Sequence, residues 1–175
     1  WINNAIDHDF DMSVICFGRA FPNLINYPDP KGKEKAQPVP RTWEFASDIL
    51  KAQPDDEIRY ELLSGTVGTG AAIEFCAFLE VFNELPDVTA TLKNPLTLKD
   101  LPVKPSIMYA FIGAMSKRVD EKTMKNFLVI ADREIKEGLA EFAITMVNDA
   151  IRYNPKLKET TDYIQWISKN QNFYK

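Results

Sequence analysis

The sequence predicts an all-α protein, a helical bundle of about seven helices joined by long proline-rich connectors. Apolar residues recur at helical spacing along most of its 175 residues. No stretch shows the alternation of β-branched and polar residues that is typical of a half-buried strand. Most of the 11 prolines stand between the periodic segments or at their starts, where they interrupt regular structure.

The first half of the chain contains five helical segments, two of them short. Asp11 is placed to cap the second segment, and Pro22 closes it. A proline- and lysine-rich loop over residues 23–39 separates the first two segments from the last three. The final segment is apolar nearly all round and is expected to be central to its bundle. The five segments are Trp1–Ile6, Met12–Phe21, Pro40–Ala52, Asp56–Leu63 and Thr69–Leu85.

Residues 86–105 form the clearest break in the helical pattern. Four prolines lie in this range, which indicates an extended connector with irregular strand over residues 96–101. Four helical segments follow, and the third has apolar residues at i, i+3, i+4 and i+7 along its whole length. These segments are Ser106–Arg118, Asp120–Glu134, Gly138–Tyr153 and Thr160–Asn170.

Composition and charge exclude several classes of function. A net charge of −4 and scattered lysines argue against a nucleic-acid partner, which requires clustered cations on one face. No apolar run approaches the ~18 residues that span a bilayer, and the chain does not begin with a secretory signal, so we expect a cytoplasmic protein without a membrane contact. Cys16 and Cys76 each lie in an apolar run and are predicted to be buried thiols.

The acidic stretch from Asp7 to Asp11 resembles the opening of a calcium-binding loop but departs from it at two positions. Met12 stands where that loop needs glycine, and Gly18 stands where it needs a bidentate glutamate. His8 is the only histidine of the chain and lies in this polar turn, which leaves no partner for a Ser–His or Cys–His site. We therefore predict no metal site and a solvated turn that ends in a helix cap.

The segment from Pro38 to Phe45 places an arginine in the first turn of a helix, and its amphipathic pattern predicts that Arg41 is exposed and that Trp43 or Phe45 is buried. Pro40 suits a first helical position because it has no N–H to leave unpaired. Arg41 follows it. Because the N-terminus of a helix already carries partial positive charge, a cation there is more stable when an anion such as phosphate is bound beside it. The alternative is a solvated arginine whose stem covers a neighbouring side chain.

Four groups of residues carry a resemblance to a known family. They are Pro40-Arg41-Thr42-Trp43-Glu44-Phe45, Gly65 to Ala72 with Glu74-Phe75-Cys76-Ala77-Phe78-Leu79, Leu101-Pro102-Val103-Lys104-Pro105, and the later pieces Glu141-Phe142-Ala143, Arg152-Tyr153-Asn154-Pro155 and Ile164-Gln165-Trp166. They resemble the C-terminal part of the MoxR-like AAA+ ATPases of bacteria and phages, over nearly the whole chain.

The resemblance implies a division of the chain and a role for its arginine. Residues 1–88 would be an AAA+ lid-like helical domain, residues 89–105 a proline-rich connector, and residues 106–175 a C-terminal helical extension. Arg41 would be the second sensor residue, which acts in catalysis and binds the ATP γ-phosphate, with Pro40 beside it in the cofactor site. The implied partners are the N-terminal ATPase core of the same polypeptide, further copies in a homo-oligomeric ring, and a client protein.

The chain departs from a complete ATPase in one respect that decides what it can do alone. It has no G-x-x-x-x-G-K-[ST] motif, since Ala71 and Ala72 stand where a phosphate-binding lysine and a hydroxyl would be needed. The glycines from Gly65 onward are instead predicted to form a tight turn and a closely packed helix start. We expect a C-terminal piece of an ATP hydrolase whose parent protein binds ATP and Mg²⁺, while the piece binds neither and is not catalytic alone. The alternative is a standalone helical scaffold for protein–protein contacts with no nucleotide role.

Overall fold

The computed structural model describes residues 1–31, 34–82 and 85–174, and within these ranges it contains ten α-helices and no strand. The predicted all-α class is confirmed. Nine of the helices overlap the nine helical segments identified in the sequence, and the tenth, the six-residue α6, was not predicted. No helix in the described ranges combines the length and the apolar character needed to cross a membrane. The helices are α1 Ile2–Asp7, α2 Met12–Ala20, α3 Pro40–Lys51, α4 Asp56–Val67, α5 Thr69–Phe82, α6 Val88–Lys93, α7 Pro105–Arg118, α8 Met124–Lys136, α9 Ala140–Tyr153 and α10 Thr161–Lys169.

The chain divides into two compact units, Trp1–Glu84 and Leu85–Lys175. The first unit is built around an aromatic cluster on α2, α3 and α5. The Phe17 ring centroid lies 5.1 Å from that of Trp43, 4.9 Å from that of Phe75 and 5.5 Å from that of Phe78. These ring contacts join the three helices.

The second unit is a bundle in which α9 packs against both α7 and α8. Its core is formed by the apolar faces of these helices, with Phe111, Phe127 and Met146 fully buried. The hydroxyl of Ser116 on α7 donates to the carbonyl oxygen of Met146 on α9 at 2.8 Å, which satisfies a buried polar group. The shorter helices α6 and α10 pack against the outside of α8.

The predicted extended connector is wrong, because α6 lies within it. Asp87 caps this helix by accepting a hydrogen bond from the backbone N–H of Ala90 at 2.9 Å. Asn126 on α8 then donates to the carbonyl oxygens of Leu92 and Lys93, each at 2.9 Å, and satisfies the end of the helix. Residues 95–97 form a 3-10 turn instead of the irregular strand.

Two further helices differ from their predicted form. α8 begins at Met124 and not at Asp120, because the Asp120 carboxylate accepts from the backbone N–H of Thr123 at 2.9 Å and forms a turn. α5 is not buried all round, since Phe75 is inaccessible whereas Ile73 on its other face is 53% exposed. Within the first unit α5 therefore packs through one face only.

Candidate functional site

The start of α3 carries the arginine that the motif analysis selects. Pro40 occupies the first helical position. The Oγ1 atom of Thr42 accepts a hydrogen bond from the backbone N–H of Val39 at 3.0 Å and lies 2.8 Å from the carbonyl oxygen of Gln37, to which it donates. These bonds tie the preceding residues to the first helical turn, so the backbone of Arg41 has a defined direction.

Trp43 anchors this helix start in the core of the first unit. Its side chain is fully buried, and its Nε1 atom donates to the carbonyl oxygen of Leu24 at 3.1 Å. Its ring centroid also lies 5.3 Å from that of Phe75 on α5. A large aromatic side chain held by both ring contacts and a hydrogen bond leaves α3 little freedom to rotate. Arg41, two residues earlier, therefore lies on a helical turn that is anchored in the core.

Arg41 is exposed and Trp43 is buried, as the amphipathic pattern predicts. The guanidinium carbon of Arg41 lies 5.9 Å from the ring centroid of Phe45, one helical turn later. This distance allows a weak cation–π contact, and an exposed guanidinium can donate to two oxygens of one anion. The arrangement is chemically suited to a phosphate that approaches from solvent.

The glycine-rich segment forms a tight turn at Gly68, as predicted. The predicted close packing of the helix start is wrong, because Gly70 in the first turn of α5 is exposed and has no neighbouring atom within 4 Å of an added Cβ. The φ of +88° at Gly68 lies in the left-handed region, and a Cβ atom at this position would come within 2.9 Å of the carbonyl oxygen of Ala36. The backbone N–H of Thr69 donates to Oε2 of Glu34 at 3.1 Å. A carboxylate of the chain itself therefore lies at the start of α5, where a phosphate-binding loop would hold its ligand.

Replacing Gly68 with alanine is expected to destabilise the first unit by about 1–3 kcal/mol, because alanine is strained at positive φ and its methyl group meets the Ala36 carbonyl. Gly65 is the matched control, since it lies inside α4 with no neighbouring atom within 4 Å of an added Cβ. Gly65→Ala should instead stabilise by about 0.5–1 kcal/mol. Urea unfolding followed by circular dichroism measures both changes, and shifts of the same sign would contradict the assigned turn.

A cleft of about 200 Å³ lies beside this turn, under the loop that precedes α3. Its lining includes Tyr27, Asp29, Glu34 and Gln37, and Arg41 is not among the described residues that form it. Two carboxylates make the cleft unfavourable for a phosphate. The structure thus places Arg41 outside this cleft, on the exposed side of α3.

The acidic stretch at the N-terminus of the chain forms the predicted helix cap. The Asp11 carboxylate accepts a hydrogen bond from the backbone N–H of Ser13 at 2.9 Å. Nδ1 of His8 lies 2.9 Å from the carbonyl oxygen of Asn4, within its own turn. Across residues 1–31, 34–82 and 85–174, no three His, Cys, Asp or Glu side chains converge as metal ligands.

The two cysteines form no disulfide with each other and lie in different environments. Cys16 is buried, as predicted, but Cys76 is only half-buried. Burial nevertheless raises the pKa of the Cys76 thiol above its usual value, against the opposing effect of the nearby Arg59. The Cys76 thiol is therefore protonated at neutral pH, which disfavours a nucleophilic role.

Glu134 is a buried carboxyl group that the motif analysis missed. Its side chain is fully inaccessible, and neither of its oxygens has a hydrogen-bond partner among the described residues. Burial, followed by the charge of Glu137, raises the pKa of Glu134 to about 8. Glu134 follows Phe127, Ile130 and Ala131 by seven, four and three residues, so helical periodicity places its carboxyl group on the apolar stripe of α8. This spacing is the feature of the sequence that could have predicted its burial.

No known protein family matches this chain, and neither does any curated protein or solved structure.

Proposed function

We propose that this chain is the C-terminal lid region of a MoxR-like AAA+ ATPase, in which Arg41 senses the γ-phosphate of bound ATP. The observation that supports this role is the exposed guanidinium of Arg41 on a helix start that Trp43 anchors. A sensor must be rigidly joined to the element that it moves, because its contact with phosphate is useful only if the whole lid follows.

The γ-phosphate distinguishes ATP from ADP, and this difference drives the proposed motion. Arg41 can bond two phosphate oxygens at once, which gives the closed lid a free-energy advantage that is present with ATP and absent with ADP. Pro40 holds the first helical turn in place and so directs the arginine. The ATPase core of the same polypeptide would supply the remaining nucleotide and Mg²⁺ ligands, and neighbouring subunits of a homo-oligomeric ring or a client protein would receive the motion.

The isolated chain is expected to show no ATP hydrolysis. Its glycine turn has alanine where the phosphate-binding lysine is needed, and Glu34 lies at the start of α5. Phosphate release by the purified 175-residue chain, measured with Mg²⁺ and ATP, should equal that of the buffer alone. Release above this background that disappears on mutating residues of the chain would place the active site here and overturn the proposal.

The coding sequence offers a second test of the lid role. If the chain is part of an ATPase, the same reading frame should encode a G-x-x-x-x-G-K-[ST] motif upstream of Trp1. A reading frame whose start codon directly precedes Trp1, or one that encodes an unrelated domain upstream, would contradict the lid role.

A helical scaffold for protein–protein contacts is the second candidate. It is favoured by large apolar side chains that the helices leave exposed, among them Ile58 at 54% and Leu62 at 44% on α4. The two candidates differ in their dependence on Arg41. A scaffold tolerates the loss of this guanidinium, whereas an ATP sensor does not.

A further inference from the structure

The charges of this chain are divided unequally between its two units. Residues 1–84 contain 7 Lys and Arg against 14 Asp and Glu, whereas residues 85–175 contain 14 against 11. The first unit is therefore acidic and the second is basic, although the whole chain has a net charge of −4. Such a distribution favours contacts between the first unit of one copy and the second unit of another.

The acidic partner in such a contact is available on the outer face of α4. Ile58 and Leu62 lie one helical turn apart and are 54% and 44% exposed. Glu57 and Glu61 are exposed beside them, and with Tyr60 these residues line a shallow groove. The opposite face of α4 packs into the core, so this stripe is not needed to hold the first unit together.

The basic partner is the segment of residues 93–104, which joins α6 to α7. It carries the two most exposed large apolar side chains among the described residues, Leu96 at 87% and Val103 at 94%. Lys99 and Lys104 are exposed in the same segment. Lys93 adds a third cation, and Asp100 is the one acidic residue of the range.

The middle of the segment is anchored to α8, which packs behind it. Arg133 on α8 donates through its two terminal nitrogens to the carbonyl oxygens of Leu98, at 2.7 Å, and Lys99, at 2.6 Å. Its Nε atom is 2.9 Å from Oε1 of Glu137, which fixes the guanidinium. A segment that is ordered before binding loses little conformational entropy on docking, so exposed apolar side chains on it are effective contacts.

We propose that the segment of residues 93–104 in one copy of this chain docks on the α4 groove of a second copy. Leu96 and Val103 contact Ile58 and Leu62, while Lys99 and Lys104 lie opposite Glu57 and Glu61. The contact joins different surfaces of the two copies, and repetition of it produces a closed ring or an open chain. The contact does not involve Arg41, so it can be confirmed or contradicted independently of the proposed nucleotide role.

Sedimentation velocity of the 175-residue chain tests the proposal. The weight-average mass should rise with protein concentration and fall on addition of salt, because the paired charges are exposed and screened. A chain that stays monomeric at about 1 mM overturns the proposal, because even a contact with an association free energy of only about −4 kcal/mol is half populated at that concentration.

Charge reversal on each surface makes the test specific. Glu57→Lys/Glu61→Lys and Lys99→Glu/Lys104→Glu should each remain monomeric alone, since each variant then carries like charges on its two surfaces. An equimolar mixture of the two variants should associate, because each offers an intact surface to the other. A mixture that stays monomeric, or a single variant that associates as well as the wild type, contradicts the contact.

Two further variants separate docking from folding and from net charge. Leu96→Ser/Val103→Ser removes only exposed apolar contacts and should weaken association at least tenfold while circular dichroism is unchanged. Lys156→Glu/Lys158→Glu alters the same number of exposed charges elsewhere in the second unit and should retain association. If Lys156→Glu/Lys158→Glu lost association as fully as Lys99→Glu/Lys104→Glu, net charge alone, and not this contact, would drive association.

Discussion

Replacing Arg41 with alanine in the proposed parent ATPase is expected to lower ATP turnover by more than ~10-fold, within the range that lost contacts to transition-state charge produce. The melting temperature should change little, because Arg41 is exposed and the core anchor of its helix is Trp43. Steady-state phosphate release at saturating ATP measures the first effect, and thermal unfolding measures the second.

Two variants show whether geometry or charge explains that loss. Arg41→Lys keeps the charge but loses the bidentate geometry, so it should recover only part of the activity. Lys51→Ala removes an exposed cation from the last turn of the same helix and should leave turnover unchanged. Full activity of Arg41→Ala with an unchanged melting profile would show that the proline-arginine pair is only a helix start.

Replacing Glu134 with glutamine is expected to stabilise the second unit increasingly as pH rises. The folded state keeps a proton on Glu134 up to a pKa of about 8, whereas the unfolded chain releases it near the ordinary value of 4.5. The wild type therefore loses stability as pH rises between these two values. Glutamine cannot ionise and avoids this loss, so its advantage should be larger at pH 8 than at pH 5 by on the order of 3 kcal/mol.

Urea unfolding at several pH values between 5 and 8 measures this difference. Glu141→Gln is the matched control, because Glu141 is exposed in the first turn of α9 and its replacement should not change the slope with pH. If the free energy of unfolding falls by the same amount in the wild type and in Glu134→Gln between pH 5 and pH 8, Glu134 does not titrate as a buried acid.

Local pattern predicts much of the fold because helix formation depends on neighbours three and four residues away. The 3.6-residue period gave the all-α class and the start of α3 at Pro40, both of which the structure confirms. The same method missed α6, whose valine and threonines have low helix propensity. Asn126, more than thirty residues later, donates to the last carbonyls of this helix. Sequence periodicity carries no information about such a distant partner.

Some features of the candidate site could be predicted from the sequence and others could not. Sequence selected Arg41 and predicted its exposure, since a proline before a charged residue and an apolar stripe after it are local features. Sequence did not show that Trp43 is tied to Leu24 or that Glu34 lies at the start of α5. Both contacts join residues that are distant along the chain, so only folding brings them together.

Spacing and backbone preference within a few residues were sufficient to predict the helical class, the arginine at the helix start and a tight turn in the glycine-rich segment. The position of that turn at Gly68, and which apolar faces find a partner, are known only from the folded chain. The tertiary structure buried one face of α5 and left Ile73 exposed, and it enclosed the carboxyl of Glu134. Burial depends on what the rest of the chain places opposite a side chain, and that arrangement exists only in the folded protein.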